Sequence, residues 1–207
     1  MEEMGLRERK RQRMYQDVSD IAVRLFLERG FDAVSVAEVA AAAGISKPTL
    51  FRYFPAKEDL VLHRIADHET EAARVAAAAD DPVDALRRNF LDGLRRRDPV
   101  TGLNDHPQVL AFHTLLYGTP SLVARAYGHL RRSEAALAAA LGGDLEARLA
   151  AGQIIAVQRI LAEDNWRRIA AGEGVGEVAP DAERAAERAF ARLAATLPDR
   201  LGGGSRE

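Results

Sequence analysis

The chain has 207 residues, 47% of them hydrophobic and 29% charged, with a formal net charge of -2. That is ordinary globular usage for one or two domains, and it excludes a disordered tail, a fibre or a uniform polycation. Cysteine is absent, which excludes disulfides, thiolate metal sites and cysteine nucleophiles.

The charge is unevenly placed. Arg7, Arg9, Lys10, Arg11 and Arg13 stand against only Glu8, and this stretch predicts a flexible basic arm suited to a polyanion. A first helix is predicted from about Gln12 to Arg29. Val18, Ile21, Ala22, Leu25 and Phe26 give it one apolar face, and Gly30 ends it. Ser35-Val36-Ala37-Glu38 has the form of a capping box, in which a hydroxyl caps open amides and the glutamate three residues on reaches back. It opens a short helix over about 36–43. Gly44 turns the chain, and Ser46 can cap a second short helix from Lys47 to about Phe54. Pro48 is tolerated in its first turn, where the amides have no intrahelical partner. Leu50 and Phe54 lie four apart and anchor that helix inward, and Pro55 closes it.

One longer helix is predicted over 57–79, stopped by Asp80-Asp81-Pro82. Further helices follow over about 83–96, 108–117, 121–141, 145–171 and 181–197, punctuated by Gly and Pro clusters. The fold class is therefore all-α, about nine helices with no persuasive strand pattern. The organisation expected is a basic arm and DNA-binding domain over 1–56, a helical ligand-binding and dimerisation domain over 57–200 whose first helix is the link, and a disordered tail over 201–207.

Two short helices joined by a tight glycine turn and docked on a longer first helix form a helix-turn-helix, whose second helix enters the major groove. Its outward residues are Lys47, Thr49, Phe51, Arg52 and Tyr53. Arginine and lysine can reach guanine edges or phosphate, and a threonine methyl can touch thymine. Lys57 sits where a helix begins, a poor place for a cation unless it meets phosphate.

The segment from Phe31 to Leu60, with Ser35-Val36-Ala37-Glu38, Gly44-Ile45-Ser46-Lys47-Pro48-Thr49-Leu50-Phe51-Arg52-Tyr53-Phe54 and Pro55-Ala56-Lys57-Glu58, closely resembles the DNA-binding signature of the TetR family of one-component transcriptional regulators. The resemblance covers about residues 14–62. It implies a homodimer on a palindromic double-stranded operator, most often a repressor, released when a small molecule fills the larger domain. Carried over by position, Ser35, Lys47, Pro48, Thr49, Phe51, Tyr53 and Lys57 match the family's DNA-contacting positions, and Arg52 joins the expected DNA-binding set from its outward place on the second short helix. Phe51 stands where the family commonly has tyrosine, which shifts that position towards packing.

The sensor half is read from packing logic. Pockets in helical bundles are mostly apolar, with few polar anchors. The candidate lining is Leu94, Leu110, Phe112, His113, Leu116, Tyr117, Tyr127, Gln153, Val157 and Trp166, with Leu91 beside them. The stretches 113–125 and 132–137 are similar to the C-terminal domains of actinobacterial TetR-type regulators of the acyl-CoA-like-ligand and mycofactocin-associated kind, which implies a hydrophobic or acyl-CoA-like effector. Dimerisation is assigned to the last two long helices through Leu149, Gly152, Ala156, Ala186, Phe190 and Leu193.

No nucleotide-binding glycine motif, catalytic triad or paired-carboxylate arrangement is suggested, so no enzyme and no cofactor is expected. The five histidines have no metal-ligand spacing. No apolar run reaches the roughly 20 residues that span a bilayer, so no membrane partner is expected. Met1-Glu2-Glu3-Met4 lacks the order of a secretion leader, and the expected compartment is the cytoplasm. The alternatives within this class are an activator of the same architecture, and a helix-turn-helix protein that works mainly through a protein partner.

Overall fold

The structure, a computed structural model, describes residues 6–66 and 68–197, with side chains described from Arg13 onwards except at Arg64. The tail over 201–207, expected to be disordered, lies outside the described residues. Ten α-helices and one 3-10 turn form the described part, which contains no strand. They are α1 (Leu6–Arg29), α2 (Val36–Ala42), α3 (Lys47–Tyr53), α4 (Asp59–Ala66), α5 (Glu71–Ala77), α6 (Pro82–Arg95), the 3-10 turn Pro99–Thr101, α7 (Pro107–Gly118), α8 (Pro120–Ala140), α9 (Leu145–Ala170) and α10 (Val175–Thr196). The all-α expectation holds.

The chain packs into two compact units, one of residues 1–67 and 111–127, the other of 68–110 and 128–207. The first unit therefore extends past residue 56 and takes in most of α7 and the first turns of α8. Its core gathers Val18, Ala22 and Phe26 of α1, Val39 of α2, Leu50 and Phe54 around α3, Leu60, Val61 and Leu62 of α4, and Leu116 and Leu122. Ser19, fully buried, donates its hydroxyl to the Leu60 carbonyl at 2.7 Å and so fixes α1 against α4. Arg125 closes the same region by gripping Asp59 with Nε at 2.9 Å and Nη2 at 2.8 Å.

In the second unit, α10 packs on α6 and α9. Phe90 and Phe190 meet with ring centroids 6.2 Å apart, amid Leu86, Leu94, Leu137 and Ile154. The loop after α6 is locked onto α9. Gly102 has φ +71, and a Cβ there would stand 1.9 Å from the Ala162 carbonyl oxygen. Buried Asn165 donates to the Thr101 carbonyl at 2.9 Å, satisfying a backbone group that water cannot reach.

Three boundaries correct the sequence reading. The helix expected over 57–79 is two, α4 and α5, with a turn at 68–70 between them. Glu69 in that turn accepts from Arg132 Nε at 2.9 Å and Nη2 at 3.0 Å and pairs with His129 Nδ1. Burial alone would raise the Glu69 carboxyl, but the bonds from Arg132 and His129 outweigh it and hold it below the usual carboxylate range. The break is thus set by partners sixty residues away, with no glycine or proline to announce it. The basic arm is helical from Leu6; its Arg, Lys and Gln residues are good helix formers with no breaker among them. The last helix begins at Val175 instead of Asp181 and contains Pro180. Pro180 removes one backbone bond near the helix start, while Val175 and Val178 bury fully enough to carry the first turn.

Candidate nucleic-acid interface

The short helices α2 and α3 are held by their ends. Ser35 Oγ accepts from the Glu38 amide at 3.2 Å, and Glu38 Oε2 accepts from the Ser35 amide at 2.8 Å. The expected capping box is present. Glu38 Oε1 also accepts from Arg29 Nη2 at 2.7 Å, which ties the end of α1 to α2. The Ser35 amide, then Arg29 and the Ser35 hydroxyl, hold the Glu38 carboxyl down to about 2. Gly44 turns the chain with φ +67, a left-handed conformation that suits glycine. Ser46 then caps α3, its Oγ accepting from the Thr49 amide at 3.2 Å and lying 2.8 Å from Thr49 Oγ1.

With its start capped and Leu50 and Phe54 buried, α3 has one rotational setting. That setting turns Lys47, Pro48, Phe51 and Arg52 to solvent. Positions i, i+1, i+4 and i+5 share one helix face. Lys47 Nζ lies 5.8 Å from the Phe51 ring centroid, and the Arg52 guanidinium 5.1 Å from that of Tyr53. Tyr53 itself is half-buried and meets Tyr15 edge-on at 5.1 Å. Tyr15 also contacts Phe54 and stacks on His63 at 4.9 Å. An aromatic layer from α1 and α4 therefore supports the far end of α3.

Two of the named side chains differ from their expected settings. Phe51 is 40% exposed, so the packing role expected of it is replaced by an open apolar surface. Lys57 precedes α4 by two residues instead of opening it. Its ammonium donates to the Phe31 carbonyl and lies 4.4 Å from the Phe31 ring centroid and 5.3 Å from that of Phe26. Lys57 thus braces the loop between α1 and α2, which the sequence pattern gave no means to see.

Residues 19–63 match the family described as bacterial regulatory proteins, tetR family. Over 182 residues the chain is 31% identical to the HTH-type transcriptional regulator TcmR of Streptomyces glaucescens, covering 84% of this chain and 74% of TcmR. The chain belongs to the TetR family of transcriptional regulators. It is also 29% identical over 120 residues to a Mycobacterium tuberculosis protein that carries the name mycofactocin biosynthesis transcriptional regulator MftR, covering 53% of this chain and 61% of that one. Among solved structures, native NalD of Pseudomonas aeruginosa, the secondary repressor of the MexAB-OprM multidrug efflux pump, superposes with a TM-score of 0.58. At 18% identity it covers 87% of this chain and 96% of its own, and shows the shared fold.

The ten expected ligand-lining residues are divided between the two units. Leu94 is core in the second unit, with Leu110 and Val157 packed against it. Leu116 is core in the first unit, and Phe112 packs there. Tyr127 and Gln153 face solvent, Tyr117 is largely exposed, and Trp166 is half-buried. His113 lies near Phe112 and Tyr117 at 5.7 and 6.2 Å, and burial pushes it down to about 4. It is therefore neutral at pH 7. An apolar face at helical spacing marks burial, and burial alone does not separate core from pocket. A groove of about 400 Å³ opens between α6 and α10, lined by Leu91, Arg95, Pro180, Glu183, Arg184, Glu187 and Arg188. Of the residues expected to line a pocket, Leu91 is in its wall.

The dimer candidates separate in the same way. Ala186, Phe190 and Leu193 are buried in the core of the second unit, so their side chains do not face outward as expected. On α9, however, Leu145, Leu149 and Ile160 are 63%, 51% and 54% exposed. With Gly152 and Ala156 between them they form one stripe at spacings of four, three, four and four.

Proposed function

We propose that this TetR-family regulator is a homodimeric repressor that binds a palindromic operator through α3 and leaves it when a small, largely apolar ligand fills the second unit. The observation that carries the reading is the outward face of α3. Lys47, Pro48, Phe51 and Arg52 are exposed together on a helix whose other side is fixed by Leu50, Phe54 and Tyr15. A rigid helix that presents cations and an apolar ring has the composition that base edges and phosphates require. Ser35 keeps its O–H to donate outward while its oxygen caps α2, which suits a phosphate contact. Thr49, Tyr53 and Lys57 belong to the same interface, Lys57 in addition to its bracing role.

The exposed α9 stripe supports pairing with a second copy. A two-fold protein presents one reading helix to each half-site, so a palindrome follows from the symmetry. Release is a population shift: a ligand that binds better to a conformation with mis-spaced reading helices lowers operator affinity by the same coupling. NalD is a repressor by its name, which favours repression over activation, and the setting is the cytoplasm. Selection of bound sequences from random DNA, followed by sizing of the complex, tests the reading. A two-fold symmetric consensus bound by two copies is expected; an asymmetric or absent consensus contradicts it.

A further inference from the structure

We infer that Phe51 is a specificity residue that reads the 5-methyl group of a thymine in the major groove; this rests on the reading of α3 as the DNA-contacting helix. The ring is on the exposed face of α3, flanked by Lys47 one turn before it and Arg52 beside it. Leu50 and Phe54, both fully buried, are the residues that anchor α3 in the first unit's core. Phe51 therefore contributes little to holding the helix, and its apolar area stays in water until a partner covers it.

The partner is fixed by the chemistry around the ring. Cations on both sides place it in a field that attracts phosphate, which commits the occupant to a nucleic acid instead of an apolar protein surface. A phenyl group has no hydrogen-bond donor or acceptor, so it cannot read the polar edges of guanine, adenine or cytosine. The thymine methyl is the one apolar group that the major groove displays. Thr49 is half-buried with its oxygen 2.8 Å from Ser46 Oγ, and the exposed Pro48 carries a smaller ring, which leaves Phe51 as the larger open apolar surface on α3. Lys47 and Arg52 then fix the register through phosphate or guanine, and Phe51 discriminates at a neighbouring base pair.

The test uses the full-length protein and the duplex it selects from random-sequence DNA. Each thymine in the selected sequence is replaced in turn by deoxyuridine, which removes the methyl group alone. Affinities are measured for the wild type, Phe51→Leu and Phe51→Ala, with melting curves to confirm folding. Burial of one methyl group corresponds to about fourfold in affinity, so one symmetric pair of thymines should show about fifteenfold loss in the wild type when both are replaced. Phe51→Leu should retain part of that sensitivity and Phe51→Ala should lose it. A selected duplex with no methyl-sensitive pair, or a sensitivity that persists in Phe51→Ala, overturns the inference while leaving the DNA-reading role intact. Failure to select any sequence overturns both.

Discussion

Arg125 and Asp59 form a two-pronged ion pair across 66 positions of sequence, with Nε–Oδ1 at 2.9 Å and Nη2–Oδ2 at 2.8 Å. Asp59 Oδ2 also accepts from the Ala56 amide at 3.0 Å. One carboxylate thus caps the turn before α4 and ties it to α8. The hydrogen bonds that Arg125 donates to Asp59, then the charge of that carboxylate, raise the Arg125 guanidinium above its ordinary range. Arg125 is half exposed, which limits the gain. Arg125→Met should therefore lower stability by about 1 kcal/mol, a fall of about 2 to 4 °C in melting temperature. A calorimetric scan checks this, and Asp59→Asn combined with Arg125→Met should cost less than the sum of the two singles.

Lys57 braces the loop between α1 and α2 besides the DNA contact proposed for it. Its contacts to the Phe31 carbonyl and to two rings exist without DNA. Lys57→Met should lower the melting temperature as well as DNA affinity, by about 1 kcal/mol in stability. Arg52→Ala, on an exposed residue, should change affinity alone. Equal melting temperatures for wild type and Lys57→Met would assign Lys57 to phosphate only.

Acid should act through His113. Its folded value of about 4 lies below the ordinary 6.5, because burial disfavours the charged ring. The unfolded chain therefore binds the extra proton first as pH falls. Stability from this group is complete above about 6.5 and is lost as pH falls from there to about 4, by up to about 3 kcal/mol. His113→Leu should flatten that part of the profile relative to wild type in urea titrations at pH 7, 6, 5 and 4. Parallel profiles would place the acid sensitivity elsewhere.

The loop on α9 should tolerate no side chain at Gly102. A Cβ there meets the Ala162 carbonyl oxygen at 1.9 Å, and φ is +71. Both the clash and the left-handed backbone act against Gly102→Ala, which should cost about 2 to 4 kcal/mol. Chemical denaturation measures it. A loss below about 0.5 kcal/mol would show that the loop does not need this close approach.

What the sequence made legible was local. The Ser35–Glu38 capping box, the Gly44 turn and the Ser46 cap are each written within four residues, and each forms. The apolar period of α1 located that helix for the same reason. What stayed hidden depends on distant partners. The turn at 68–70 is held by His129 and Arg132, and the bracing of Lys57 needs Phe26 and Phe31 brought together by the α1–α2 loop. Pro180 read as a breaker because its local cost is visible while the burial of Val175 and Val178 is not. Phe190 and Leu193 read as interface because periodicity gives a buried face without saying which neighbour buries it. Tyr53 carries a similar lesson for mutagenesis. Since it packs on Tyr15, its removal would disturb the helix it sits on as well as any contact it makes.

Lys47→Ala combined with Arg52→Ala decides whether the outward face of α3 reads DNA, as proposed. Both residues are exposed, so the variant should keep the melting temperature of the wild type. Fluorescence anisotropy at moderate salt would compare the selected duplex with a scrambled one. The wild type should prefer the selected duplex strongly, and the variant should lose most of that preference, about 1 to 3 kcal/mol for each base contact removed. Undiminished preference in a correctly folded variant would show that DNA is read by another surface.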